Sequence, residues 1–199
     1  WSPRLGLSWP AGPNDRFFVN FGYFFQVPLF DYLYTGLKYD LKKGVRVLYG
    51  NPDLKPEKTK AWEFGYKHAF PEYQAVFGLT YFNKEMENLV DTKTFLASDS
   101  KAEDDGFTQY VNLPAARSYG WEFLFEKRYS NRWSARVSYT LMYALGYSGN
   151  AEQGLNYWMW GFEVPNKEYW LSWDQRHTVV AELFYGVRGS YGIDIVWRW

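Results

Sequence analysis

Cysteine is absent from all 199 residues, which excludes a disulfide framework and thiol chemistry. Histidine occurs only at His68 and His177, too few and too far apart for the common zinc sites. No apolar run approaches the roughly eighteen residues of a membrane-crossing helix, so none is expected. Neither sign of charge prevails: 22 basic residues balance 22 acidic ones, and nothing in that balance points to nucleic acid. The start, Trp1-Ser2-Pro3-Arg4, has neither an initiator Met nor a basic stretch leading into an apolar one. The chain is therefore expected to be an excerpt or a processed product, with no signal peptide in it. No catalytic constellation is visible, so the expectation is a protein that is not an enzyme and holds no cofactor or metal.

Aromatic residues, by contrast, are abundant. They make up 23% of the chain, as 11 Trp, 18 Tyr and 16 Phe, while mean hydropathy is −0.46. Soluble cores draw mainly on Leu, Ile and Val. Trp and Tyr beside many charges fit a sugar-binding β-sandwich or a membrane β-barrel with aromatic girdles.

Side-chain period narrows the choice, because a strand buried on one face alternates apolar and polar residues. In 132–143, Trp133, Ala135, Val137, Tyr139, Leu141 and Tyr143 oppose Arg132, Ser134, Arg136, Ser138, Thr140 and Met142. In 16–27 the apolar face runs from Phe17 to Val27, with Phe18 and Phe24 as exceptions on the other side. Segments 3–9, 58–70, 73–84, 117–129, 177–187 and 191–199 alternate in the same way. Eight strands and no long helix are predicted, so the fold class is all-β.

The predicted connections alternate strictly between short and long. Pro10–Asp15, Pro71–Glu72, Ser130–Asn131 and Arg188–Ser190 carry turn residues. The intervals at about 28–57, 91–116 and 148–175 are long. That order describes an antiparallel up-and-down meander with tight turns at one end, as in transmembrane barrels. About ten residues tilted near 40° span the lipid band of roughly 25 Å, and most of these strands have that length. The apolar faces are expected to meet lipid and the polar faces to line a lumen, with mixed charges such as Glu126, Arg128 and Arg132 setting register.

Gly50–Tyr66, "GNPDLKPEKTKAWEFGY", resembles the TonB-dependent receptors, which import scarce nutrients across the Gram-negative outer membrane. The motif positions are Gly50, Asn51, Pro52, Leu54, Lys55, Pro56 and Glu57, followed by Trp62, Glu63, Gly65 and Tyr66. "SPRLGLSWP", "GYFFQVPLF", "YFNKEMENLV", "YGWEFLFEKR" and "WDQRHTV" fall in the family's order around it, so the similarity covers essentially the whole chain. The resemblance implies about eight strands of a twenty-two-stranded barrel, a single partial domain over 1–199 with the family's plug domain outside it. Its partners would be outer-membrane lipid and lipopolysaccharide, the TonB complex through segments outside this chain, and a siderophore-iron, cobalamin or glycan ligand. Tyr191–Trp199 looks like a terminal outer-membrane strand, yet family order suggests that more strands followed. A small autonomous barrel serving as adhesin or scaffold, and a soluble carbohydrate-binding sandwich, are the alternatives.

The motif at 50–57 reads as a loop terminator, since Pro52 and Pro56 fix φ around a turn. Asp174, Gln175, Arg176 and His177 are expected to form a hydrogen-bonded corner that fixes strand entry, with ligand contact as the alternative role. Tyr157, Trp158, Trp160, Tyr169, Trp170 and Trp173 are the candidate ligand contacts, offering flat amphipathic faces, with girdle packing as their alternative role. The acidic tip Asp99–Asp105 reads as solvated loop surface, with calcium binding as its alternative role, and the basic group Lys38, Lys42, Lys43 and Arg46 reads as solvated surface, with attraction of an anionic ligand or of lipopolysaccharide phosphates as its alternative.

Overall fold

The computed structural model of the chain describes residues 1–36, 48–96, 106–165, 167–187 and 189–199. The acidic tip, the basic group of the first loop and Arg188 of the last turn lie outside the described residues. Long strands are β1 (Arg4–Pro10), β2 (Asp15–Gln26), β4 (Glu57–Phe70), β5 (Ala75–Leu96), β6 (Gly106–Ser130), β7 (Trp133–Gly146), β9 (His177–Val187) and β10 (Tyr191–Arg198). Two short strands, β3 (Leu48–Tyr49) and β8 (Tyr169–Trp170), lie between them. All ten belong to one sheet, with the long strands in the order β1-β2-β4-β5-β6-β7-β9-β10. Each long strand pairs antiparallel with its neighbours. β3 pairs parallel with β6, and β8 pairs antiparallel with β7. The sandwich alternative needs a second sheet, and the described strands form only this one.

The predicted alternation becomes two opposed surfaces. One register row runs Trp9, Phe17, Tyr66, Leu79, Phe123, Tyr139 and Val179 across seven strands. It reaches Trp199 through paired backbone hydrogen bonds of 2.7 and 2.9 Å. The next row, on the opposite face, runs Ser8, Phe18, Gly65, Thr80, Glu122, Thr140 and Thr178. Phe64, Trp121 and Phe123 on the first face are each more than a third exposed, and their ring contacts run sideways to Phe17, Tyr81 and Tyr139 of the same face. A broad, uncovered aromatic face is costly in water and natural in hydrocarbon.

The two exceptions in β2 have local causes. The Phe18 ring fills the space over Gly65, where a Cβ would lie 2.0 Å from Phe18 Cζ. Phe24 receives the guanidinium of Arg4 at 4.5 Å from its ring centre.

Three sequence expectations are corrected. The interval 91–116 is mostly strand rather than loop, because β5 and β6 stay paired from Val90↔Asn112 to Leu96↔Gly106. Thr94 and Thr108 share a hydroxyl hydrogen bond of 2.9 Å, and Phe95 stacks on Phe107 at 5.2 Å, which supports the extension. The other two long connections carry short helices, α1 (Phe30–Tyr34) in one and α2 (Gln153–Met159) in the other. Glu126 faces Arg136, and Arg136 faces Glu182, whereas Arg132 sits in the β6–β7 turn. Asn131 and Arg132 both take positive φ, at 52° and 70°, as a tight hairpin turn with matching twist requires.

Candidate functional site at the loop-side end

Two corners return the long loops to the sheet. In the first, Gly50 lies so close to α1 that a Cβ would meet the Leu33 carbonyl at 2.6 Å, so only glycine fits. Asn51 then makes three kinds of contact. Its N–H donates to the Tyr32 carbonyl (2.8 Å), its side-chain amide donates to the Tyr110 carbonyl (2.9 Å), and its Oδ1 accepts the Asp53 N–H (3.0 Å). Pro52 occupies the turn that follows, and Leu54 is buried against Val90 and Tyr110. Lys55 is held by its backbone, whose N–H donates to Asn112 Oδ1 (2.8 Å) and whose carbonyl accepts from Asn112 Nδ2 (3.1 Å). The Pro56 carbonyl accepts from Asn88 Nδ2 (3.3 Å), and Glu57 Oε1 accepts the Val90 N–H (3.2 Å).

The second corner follows the same plan with different chemistry. Leu171 is buried with Ala116 and Ala144. The Asp174 carboxylate accepts the Ala144 N–H (3.0 Å) through Oδ1 and Arg176 Nη2 (2.7 Å) through Oδ2. The Arg176 guanidinium lies 4.1 Å from the Tyr143 ring centre and 4.4 Å from that of Trp170. Its partnership with Asp174 holds it still further above its ordinary, always-charged range. His177 starts β9, with Nδ1 2.9 Å from the Tyr139 hydroxyl and its ring stacked on Trp199.

Between the corners, the third loop folds over the protruding β5–β6 hairpin. The Asp91 carboxylate, 3% exposed, accepts the N–H groups of Thr92 and Gly154. Thr92 Oγ1 accepts the Leu155 N–H at 2.7 Å. A Cβ on Gly154 would lie 1.9 Å from the Thr92 carbonyl oxygen, so α2 rests directly on strand backbone. Tyr110 joins both loops to the hairpin: its ring packs on Tyr32 at 4.8 Å, and its hydroxyl donates to Glu152. Burial, with Glu152 beside it, pushes that hydroxyl up to about 12.

The six candidate aromatic residues are not gathered onto one surface. Tyr157 and Tyr169 point into the loop, where Gln153 Nε2 donates to both hydroxyls. Burial raises the Tyr169 hydroxyl above its ordinary range. Trp170 covers Arg176, and Trp160 projects into solvent, 73% exposed. Trp158 lines a recess against Thr92, Lys93, Leu113 and Tyr147. Trp173 lines a different recess, of about 260 Å³, walled by Gln26, Tyr32, Glu57, Met86 and Asn150. Gln26 and Glu57 are register partners at the loop-side end of the polar face. Sequence reasoning missed Asp91, Thr92, Tyr110, Asn112 and Gly154. For Asp91 and Thr92 the signal is the strand-like, β-branched run at 90–94; Tyr110, Asn112 and Gly154 carry none in the local sequence.

A single antiparallel sheet with an apolar aromatic face, a polar face, tight turns at one end and folded loops at the other is the wall of an outer-membrane-type β-barrel. No helix among the described residues is long and apolar enough to cross a membrane, which says nothing of strands. The profile of the family TonB dependent receptor-like, beta-barrel matches residues 1–198, and the chain belongs to that family. No curated protein sequence matches the chain.

Solved receptors share its fold. A mutant of the ferric enterobactin receptor PfeA from Pseudomonas aeruginosa matches 100% of this chain and 27% of its own, at 17% identity and TM-score 0.67. The pyoverdine receptor FpvA from the same organism matches 100% of this chain and 24% of its own, at 14% identity and TM-score 0.64. The ferric-catecholate import receptor Fiu of E. coli matches 98% and 24%, at 17% identity and TM-score 0.62. The chain thus spans about a quarter of the length of these receptors.

Proposed function

We propose that residues 1–199 are one partial barrel domain of an outer-membrane receptor that imports a scarce nutrient, a transporter and not an enzyme. In the intact protein, ligand is captured at the loops and a plug domain. Energy relayed from the inner membrane by the TonB complex then remodels the plug and lets ligand through. The observation that carries this reading is the register row from Trp9 to Trp199, with one apolar or aromatic residue of the same face on seven long strands and Trp199 just past the end of the eighth. Among the described residues the outer edges of β1 and β10 have no strand partner, which favours a segment of a larger barrel over a small closed one.

Within this reading, lipid and lipopolysaccharide surround the aromatic face. Above the ring formed by Trp62, Tyr81 and Trp121, ion pairs Lys58–Glu87 (3.3 Å) and Lys60–Glu85 (3.6 Å) mark the polar boundary. The motif residues at 50–57 and 174–177 act as structural corners, and the recess that Trp173 lines with Gln26 and Glu57 supports its reading as a ligand contact. The test is uptake by cells carrying the intact receptor, with and without TonB. Accumulation of the nutrient that requires both supports the reading, and accumulation indifferent to TonB removes it.

A further inference from the structure

At the tight-turn end, the aromatic face carries a carboxylate beside an imidazole. Asp15 opens β2 and pairs with His68, and the row then continues through apolar residues only, from Phe77 to Trp197. Each of the two stands two residues from a member of the aromatic face, Phe17 or Tyr66, and so shares that face. Asp15 Oδ1 accepts the Tyr66 hydroxyl. His68 Nδ1 lies 2.7 Å from the same oxygen and donates to it, since a carboxylate only accepts. Among the described residues, Oδ2 has no hydrogen-bond or ionic partner. It lies beside Gly12, where an added Cβ would come within 3.1 Å of it, so the missing side chain leaves that oxygen uncovered. Arg16 and Lys67, next to the pair in sequence, sit on the opposite face. Trp9, stacked on Phe17, and Phe70, edge-on to His68 at 4.4 Å, add aromatic surface around the pair.

We infer that Asp15 Oδ2 receives the primary ammonium of a phospholipid headgroup, an ethanolamine-type lipid in the leaflet on the tight-turn side. The inference rests on the membrane reading above and adds the headgroup that this part of the wall selects. A half-bonded carboxylate on a hydrocarbon-facing surface is costly unless a cation completes it. Asp15 directly follows a turn, at the depth where headgroups and aromatic girdles meet. The side chains of Asp15 and His68 remain 30% and 29% exposed, so a headgroup can reach them. An ammonium brings three N–H donors, one of which makes a charge-assisted bond to the free oxygen. The faces of the surrounding rings attract the same cation. A choline headgroup has the charge but no N–H to donate, and a glycerol headgroup leaves its phosphate charge to be repelled by the carboxylate.

The test uses the intact receptor, stripped of lipid in detergent and titrated with phosphatidylethanolamine, phosphatidylcholine and phosphatidylglycerol of identical acyl chains. Native mass spectrometry counts the bound lipid. Wild type should prefer the ethanolamine lipid to the choline lipid by about tenfold, the worth of one charge-assisted hydrogen bond. Two variants disable the acceptor in different ways. Asp15→Asn keeps an oxygen for Tyr66 and His68 but removes the charge, and Gly12→Ala keeps the charge but sets a methyl against Oδ2. Each should lower ethanolamine-lipid binding to the choline level while the unfolding midpoint in detergent holds. Equal binding of the ethanolamine and choline lipids by wild type overturns the inference. So does a preference that survives both substitutions, or a preference for the glycerol lipid. TonB-dependent uptake and lipid accessibility of the aromatic face are scored separately, so each of these results leaves the import and membrane readings to their own tests.

Discussion

The side-chain amide of Asn51 reaches across 59 residues of sequence to the Tyr110 carbonyl, at 2.9 Å. That one bond ties the end of the first loop to the hairpin that the third loop also grips. Asn51→Ala leaves the buried carbonyl without its donor and frees the Asp53 N–H. The expected cost is about 1–3 kcal/mol of local stability. Hydrogen exchange checks it: protection should fall at 50–55 and at 109–112 together, with β9 and β10 unchanged.

Tyr110 provides a pH dependence. Its hydroxyl titrates above the ordinary tyrosine value, at about 12, so the folded state holds that proton more tightly than the unfolded chain does. The stability it contributes is complete below about pH 10 and is lost as pH rises through about 12. Loop protection should decline over that window in the wild type. In Tyr110→Phe the decline attributable to this group should vanish.

The third loop depends on close backbone approach. Gly154→Ala places a methyl 1.9 Å from the Thr92 carbonyl and must lift α2 from β5. Limited proteolysis should then cut near 150–160 while the strands resist. Asp91→Ala should produce the same pattern, because it removes the acceptor of the Gly154 N–H.

The aromatic-over-glycine contact in the lumen face makes a stability prediction. Gly65→Val forces the Phe18 ring off the sheet, since even a Cβ would overlap it. Overpacking of this kind costs about 1–3 kcal/mol. Adding Phe18→Ala should recover part of that loss, measured as the unfolding midpoint in detergent.

The eight long strands were legible because each has one face meeting a uniform environment, and a uniform environment imposes a strict period of two. Legibility ended at Asn88, whose φ of 59° interrupts the strand conformation. Beyond it Val90, Asp91 and Thr92 are all buried in succession, since loops cover them as well as partner strands. No alternation survives there to be read. The aromatic candidates were legible as residue types but not as a group. β8 sends Trp170 outward over Arg176, while its neighbour Tyr169 bonds Gln153 within the loop. Long-range docking of that kind leaves no mark on local sequence. The corner at 50–57 was legible as a turn, whereas its side-chain and backbone bonds to Tyr110 and Asn112 were not.

Lipid accessibility tests the central claim most directly, and a chain without cysteine suits it. Single cysteines at Phe64, Phe123 and Phe125, and at Glu63, Glu122 and Thr140, would carry spin labels in the intact receptor in bilayers. The first three should collide freely with oxygen and be shielded from a water-soluble nickel complex, and the second three should show the reverse. Equal exposure of both sets to the nickel complex, or labels at the phenylalanine positions immobilised by protein packing, would contradict the account.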